Sequence, residues 1–231
     1  MTMLQTLRKR LSTRSTDPVE KYTRRFLRFF PKGFKDPKYF AWERGYKWQA
    51  HSDFVEALSK KTFEHLLAAG KYTDIAGTCL RLESRTNLLF SFEKMAIRDG
   101  LKSRKGSRIF SEALFELLHG YGALEGRFDL WCDAIASLPR KQTRVLTHPV
   151  VTVFPFIGDP RRHIFLKPQV TKTAAQRLGL DFAYASVPSW IIYSQLLQIA
   201  EILRERLQHL EPRDMIDIQS FIWVTGSSEY E

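Results

Sequence analysis

Polar residues set into segments otherwise too apolar for them are where this sequence could do chemistry. Arg213-Asp214-Met215-Ile216-Asp217-Ile218-Gln219-Ser220-Phe221-Ile222-Trp223 is one such segment, and Phe90-Ser91-Phe92-Glu93-Lys94-Met95 is a second. The third is His163-Ile164-Phe165-Leu166-Lys167-Pro168-Gln169-Val170-Thr171, in which a lone lysine follows mostly apolar residues. Burying Asp217 or Gln219 demands hydrogen-bond partners or a cleft. An amine or carboxylate in apolar surroundings has its protonation shifted, the condition for nucleophilic or acid–base work. For each segment the structural alternative is a helix cap or a buried ion pair, and it is the commoner one.

Familiar chemistries are missing from the rest of the chain. His51, His65, His119, His148, His163 and His209 are scattered without HExxH or zinc-ligand spacing, so no metal is expected. There is no GxGxxG, GxxxxGK[ST] or GxSxG, and no cofactor is expected. Cys79 and Cys132 stand in apolar stretches with no CxxC, the pattern of buried free thiols in a reducing compartment. The N-terminal residues lack the apolar core of a secretory signal, and no run is long enough to span a membrane. A cytoplasmic protein is expected, with a mitochondrial presequence as the minor alternative.

Charge is concentrated at one end. Residues 1–48 carry 13 lysines and arginines against four acids, a net +9 of the chain's +11. Within this stretch Arg24-Arg25-Phe26-Leu27-Arg28-Phe29-Phe30 interleaves cations with aromatics. Cations that displace counterions from phosphates and rings that stack on bases suit a nucleic acid. The alternative is an amphipathic helix with Phe26, Phe29 and Phe30 buried and its arginines solvated. Arg24, Arg25, Arg28 and Lys32 are the candidate phosphate contacts here.

The elements that must position these residues read as helices. Residues 1–18 form a flexible basic lead-in that closes at Asp17-Pro18, and a helix from about Val19 stops at Pro31-Lys32-Gly33. Asp36-Pro37 opens a charged, aromatic helix that continues toward Leu58. Apolar residues at three- and four-residue steps then predict helices over 62–69, 73–84, 88–101, 107–119 and 124–138. The run Val150 to Ile157 is compatible with a short strand or a buried helix, leaving 150–166 open. Gly179 caps a helix from Thr171, Ser189 opens a long one to about Leu210, and Pro212 begins the last. The expected fold is all-α, a multi-helix bundle over 19–225 with a possible subdivision near 139 and a frayed tail at 226–231.

From about Leu138 to Asp181 the chain resembles the helix-hairpin-helix DNA glycosylase superfamily. An apolar helix ends in Phe156-Ile157-Gly158-Asp159-Pro160, an extended Ile164 to Pro168 follows, and Val170-Thr171-Lys172-Thr173-Ala174-Ala175-Gln176-Arg177-Leu178-Gly179-Leu180 closes the match. Where that family has a glycine hairpin, this chain has Leu138-Pro139-Arg140-Lys141-Gln142, and Lys167 stands at the family's catalytic aspartate. The resemblance implies base excision from DNA after the target nucleotide leaves the stack, and DNA is expected as the partner ahead of RNA. Lys167 would be the amine nucleophile and Asp217, Asp214 or Glu93 the acid, with Arg140, Lys141, Arg144 and Lys172 on phosphates. A non-catalytic nucleic-acid adaptor and a helical protein-interaction module are the alternatives.

Overall fold

The computed structural model describes residues 17–139 and 144–231. Most of the lead-in, together with Arg140 and Lys141, lies outside these. The fold is all-α, with no strand among the described residues. None of the helices described is long and apolar enough to cross a membrane.

Helix α1, Pro18–Phe29, starts where expected: the Asp17 carboxylate accepts from the Val19 amide and proline occupies the first turn. Its buried face carries Val19, Thr23 and Phe26. Phe26 lies within 5.1–5.9 Å of the rings of Phe30, Phe34, Tyr39 and Phe221, an aromatic knot that ties α1 to the last helix. The arginine-aromatic run is therefore amphipathic packing as far as Phe26 and Phe30 go, since rings at zero exposure are closed to bases. A 3₁₀ turn, Gly33–Lys35, follows, with Gly33 at φ +57°, in the left-handed region that glycine tolerates.

Asp36 caps the next helix by accepting from the Lys38 amide. Pro37–Tyr39 begins as α-helix, widens into a π-turn over Phe40–Arg44, and continues as α2, Gly45–Ala57. In the wide turn the Gly45 amide reaches back five residues to the Phe40 carbonyl. The outcome is that Glu43, Arg44 and Lys47 are all buried, on a helix whose composition reads as a solvated face.

Helices α3 (Lys60–Ala68), α4 (Tyr72–Ser84), α5 (Ser91–Gly100), α6 (Arg104–His119) and α7 (Leu124–Ala136) follow the expected apolar periodicity. The ambiguous segment becomes α8, His148–Gly158, not a strand. Residues 148–157 are buried on every side, which erases the periodicity that would have marked a helix. Pro155 interrupts its ladder, because it has no amide to donate to the Val151 carbonyl. The Trp131 indole N–H takes that place at 2.7 Å. Trp131→Phe is expected to orphan this buried carbonyl and cost about 1–3 kcal/mol, measured by urea unfolding; an unchanged midpoint would show the bond to be idle.

Residues 164–167 run extended into α9, Pro168–Leu178, which ends at Gly179 in the left-handed conformation (φ +67°). Helix α10, Trp190–Arg206, leads through a 3₁₀ turn, Gln208–Leu210, to α11, Met215–Gly226. Helices α9 and α11 pack tightly, with α1 lying against both. At Gly226 an added Cβ would stand 2.1 Å from the Val170 carbonyl, so the crossing has no room for a side chain. The polar tail, expected to fray, is placed against the fold. It forms a 3₁₀ turn, Ser228–Tyr230, and buries Tyr230, whose hydroxyl donates to Glu43 at 2.5 Å. The buried apolar side chains of all these elements join in one core.

Candidate nucleic-acid cleft and the cavity behind it

Lys167 sits at the N-terminal end of α9, held there by the buried Ile164, Phe165 and Leu166 of the extended link. It is 8% exposed. Its Nζ donates to the Leu88 carbonyl at 2.9 Å and stands 3.4 Å from the centre of the Phe90 ring. Burial lowers the pKa of the amine; Glu93 opposes the shift and Lys94 adds to it, leaving the group below the ordinary lysine range.

Two cavities meet at this lysine, sharing Lys167, Trp223 and Glu229. The outer one is an open cleft of about 810 Å³ between the start of α5, the link before α8, α9 and the tail. Its walls combine rings (Phe90, Phe92, Tyr184, Trp223) with three cations (Arg144, Lys167, Arg177) and three carboxylates (Glu93, Glu229, Glu231), and Arg177 pairs with Glu231. Phe90, 54% exposed, stacks on the similarly exposed Phe92 at 5.7 Å between ring centres. Lys172 lies over the Tyr184 ring at 5.0 Å. His148 lines the same cleft with its pKa lowered, chiefly by burial, and its Nε2 paired to the Ala185 carbonyl at 2.8 Å.

The structure brings together some of the expected site residues and separates others. Glu93 shares the cleft with Lys167, but its carboxylate is engaged: Oε2 accepts from the Phe90 amide at 2.9 Å and Oε1 from the Thr147 hydroxyl at 3.3 Å. It therefore caps α5. Asp217 is fully buried elsewhere, with Oδ1 accepting from Tyr39 (2.6 Å), Arg44 (2.9 Å) and Arg213 (2.9 Å), and Oδ2 from the Arg213 backbone and Nε. Burial alone would raise its pKa; Arg213, Arg44 and Tyr39 outweigh that and hold it below the usual carboxylate range. Asp214 caps α11 through the Ile216 amide and forms a two-pronged pair with Arg44 at 2.7 and 2.8 Å. It borders a different surface groove with Arg44, Trp48 and Arg161. These two aspartates are joints of a buried ion network, the structural alternative set out for that segment.

Of the expected phosphate contacts, Arg144 lies at the cleft and Lys172 near it. Arg24, Arg28 and Lys32 are exposed on α1 and the turn after it, and Arg25 is half-buried and donates to the Tyr230 carbonyl. The last contact brings α1 to the tail that forms one edge of the cleft.

The smaller cavity, about 270 Å³, opens to the surface beside Trp42, Asn87 and Glu229, and the part of it that the sequence does not announce is the pair Glu43 and Lys47. Glu43, Lys47, Gln219 and Tyr230 line it beside Lys167. Lys47 is 2% exposed and donates to Glu43 Oε2 (3.3 Å) and Ser220 Oγ (3.0 Å), its pKa lowered by burial against the pull of Glu43. The spacing of Glu43 and Lys47 was the available signal, but an i, i+4 acid–base pair on a charged helix ordinarily marks a solvated face. The two cysteines are remote thiols, both buried and pushed up to about 12 by burial.

Among the described residues no group of three or more His, Cys, Asp or Glu is placed to hold a metal ion. No protein-family model matches the chain, and neither the curated proteins nor the solved structures contain a match to it.

Proposed function

We propose that the protein binds nucleic acid, DNA in preference to RNA, by receiving an unpaired stretch of strand in the open cleft at Lys167. The observation that carries this reading is the exposed Phe90–Phe92 stack set directly against the Lys167 ammonium, in a cleft where Arg144 is a further cation and Arg177 is paired with Glu231. Every base has a face to stack and every linkage a phosphate to neutralise, so rings and cations side by side suit a single strand irrespective of sequence. The stacking surface is here and not on α1, whose Phe26 and Phe30 are buried. The exposed cations of α1 add long-range attraction.

Fluorescence anisotropy with a labelled single-stranded oligonucleotide tests the reading. Affinity is expected to fall with salt by about 0.7 logarithmic unit per phosphate contact for each tenfold rise. Replacing both Phe90 and Phe92 with alanine is expected to weaken binding by about tenfold to a hundredfold at constant salt. Changing Arg24, Arg28 and Lys32 together to glutamate is expected to weaken it further and flatten the salt slope. Binding that ignores both salt and the two phenylalanines would sink the reading.

The position of Lys167 favours a second, narrower reading, in which the cleft acts on the strand it holds. A lysine amine with a burial-lowered pKa, reachable from an 810 Å³ cleft, is equipped for attack on an electrophilic carbon such as the sugar C1′. Of the three carboxylates singled out in the sequence, Glu93 alone shares that cleft.

A further inference from the structure

The polar tail puts a carboxylate where the cleft would meet a phosphate. Arg177, in the last turn of α9, is aimed by its Nη1, which donates to the Thr225 carbonyl at 2.8 Å, and its Nη2 donates to the Glu231 carboxylate. From α1, Arg25 donates to the carbonyl of the preceding residue, Tyr230. Both arginines hold the Glu231 carboxyl below the usual glutamate range, Arg177 through its hydrogen bond and charge and Arg25 through its charge. Guanidinium groups from two helices thus act on one carboxylate at the rim of the cleft.

The arrangement has the marks of an anion site filled from within. A guanidinium fork fits the paired oxygens of a phosphate as it fits those of a carboxylate. The cleft walls hold Arg144, Lys167 and Arg177 against Glu93, Glu229 and Glu231, and the last two come from the tail. Glu93 is spent on the Phe90 amide and the Thr147 hydroxyl. The tail therefore cancels positive charge that a strand would otherwise meet. The exchange is cheap, because the side chains of Glu231 and Arg177 are 53% and 25% exposed and an ion pair in that setting adds little to stability. It also leaves the tail in place: Tyr230 stays anchored through Glu43 and the Phe29 ring while the Glu231 side chain swings away.

We propose that Arg177 and Arg25 form a phosphate subsite of the cleft, that the Glu231 side chain occupies it in the free protein, and that a phosphodiester of the bound strand takes its place. The identity of the ligand rests on the strand-binding reading, whereas the anion site itself does not. The subsite joins the cleft to α1, on which the exposed Arg24 and Arg28 follow.

The test is a double-mutant cycle read by fluorescence anisotropy with single-stranded oligothymidylate. Glu231→Gln is expected to tighten binding by about two- to fivefold, the gain when an exposed ion pair no longer competes. Arg177→Gln is expected to weaken binding and to lower the salt slope by about 0.7, the share of one phosphate contact. With both changes made, the gain from Glu231→Gln is expected to vanish, since the site it opens has gone. A gain of the same size without Arg177 would be the mere loss of a surface negative charge and overturns the proposal, as does Glu231→Gln binding no tighter than the parent chain. In the unaltered protein the carboxyl carbon resonance of Glu231 reports its titration, and its depressed pKa is expected to return to the usual glutamate range when oligothymidylate is added. A pKa that stays depressed in the complex overturns the proposal without recourse to any substitution. Dimethyl phosphate, a phosphodiester without bases, separates this inference from the reading it rests on. Glu231→Gln is expected to broaden its phosphorus resonance, and the double variant is not. Such binding in a protein that ignores oligothymidylate upholds the anion site and removes the strand-binding reading. Oligothymidylate binding that is indifferent to Glu231, with dimethyl phosphate unbound, removes the anion site and leaves that reading standing, and binding of neither overturns both.

Discussion

Arg44→Met is expected to destabilise the protein by about 3–5 kcal/mol, because it leaves Asp214 and Asp217 buried without the cation between them. The guanidinium spans both carboxylates at 2.7–2.9 Å with a side-chain exposure of 4%. Against a whole-domain stability of about 5–15 kcal/mol that is a large fraction, readable as a shift in the urea midpoint. Arg213, whose side chain is 44% exposed, still pairs with Asp217, so Arg213→Met is expected to cost less. The pH dependence follows from Asp217. Its folded pKa is depressed, so its contribution is complete above the unfolded value of about 4 and is lost as the pH falls through the lower folded value. Removing Arg44 takes away one cause of that depression, while Arg213 and Tyr39 remain on Asp217, so the part of the stability that Arg44 supplies is the part lost on protonation. The gap in stability between the parent chain and Arg44→Met is therefore expected to narrow below about pH 4. Neutralising the carboxylates as well, with Asp214→Asn keeping the α11 cap and Asp217→Asn added, is expected to recover part of the loss. An Arg44→Met protein within 1 kcal/mol of the parent at neutral pH would contradict the buried-network assignment.

That network shows where the sequence is readable and where it is not. The segment from Arg213 to Trp223 declares that Asp217 and Gln219 need partners, because the residues around them are too apolar to be left in water. It cannot declare which partners. Arg44 lies about 170 positions away and reaches α11 only because a π-turn brings Glu43, Arg44 and Lys47 to the buried side of their helix. Pairings of this kind are properties of the tertiary fold and leave no trace in local spacing. Helix boundaries, by contrast, rest on local chemistry: Asp17-Pro18, Asp36-Pro37 and Gly179 each act within a few residues, and the elements begin or end beside them. Helix α8 stayed ambiguous for a third reason, since burial on all sides removes the polar face on which periodicity depends. The tail is read from its composition alone. Gly226 to Glu231 is polar, but Tyr230 finds Glu43 inside the fold and anchors the segment.

Incubating the protein with an oligonucleotide that carries an abasic deoxyribose, in the presence of borohydride, is expected to yield a covalent adduct that Lys167→Met abolishes. In this reaction the neutral Nζ adds to the C1′ aldehyde of the ring-opened sugar, water leaves, and borohydride delivers hydride to the resulting iminium carbon, fixing a secondary amine. Only the unprotonated lysine attacks, and burial has already moved this one below the ordinary value of about 10.4. Adduct formation is expected to rise with pH through that lowered pKa and level off before a solvent-exposed lysine would, whereas random labelling of surface lysines keeps climbing. Lys102→Met, which removes an exposed amine on a surface away from the cleft, is the control and is expected to keep the adduct. Lys47 supplies the harder comparison: it too has a burial-lowered pKa, but it is tied to Glu43 and Ser220 and lines the smaller cavity, not the cleft. Trapping that persists in Lys167→Met would remove Lys167 from the chemistry. Trapping lost in Lys167→Met with oligonucleotide affinity retained would separate the attacking amine from the stacking surface. Loss of affinity and adduct together would instead make Lys167 a phosphate contact, its ammonium held against Phe90 to meet the strand and not to attack it.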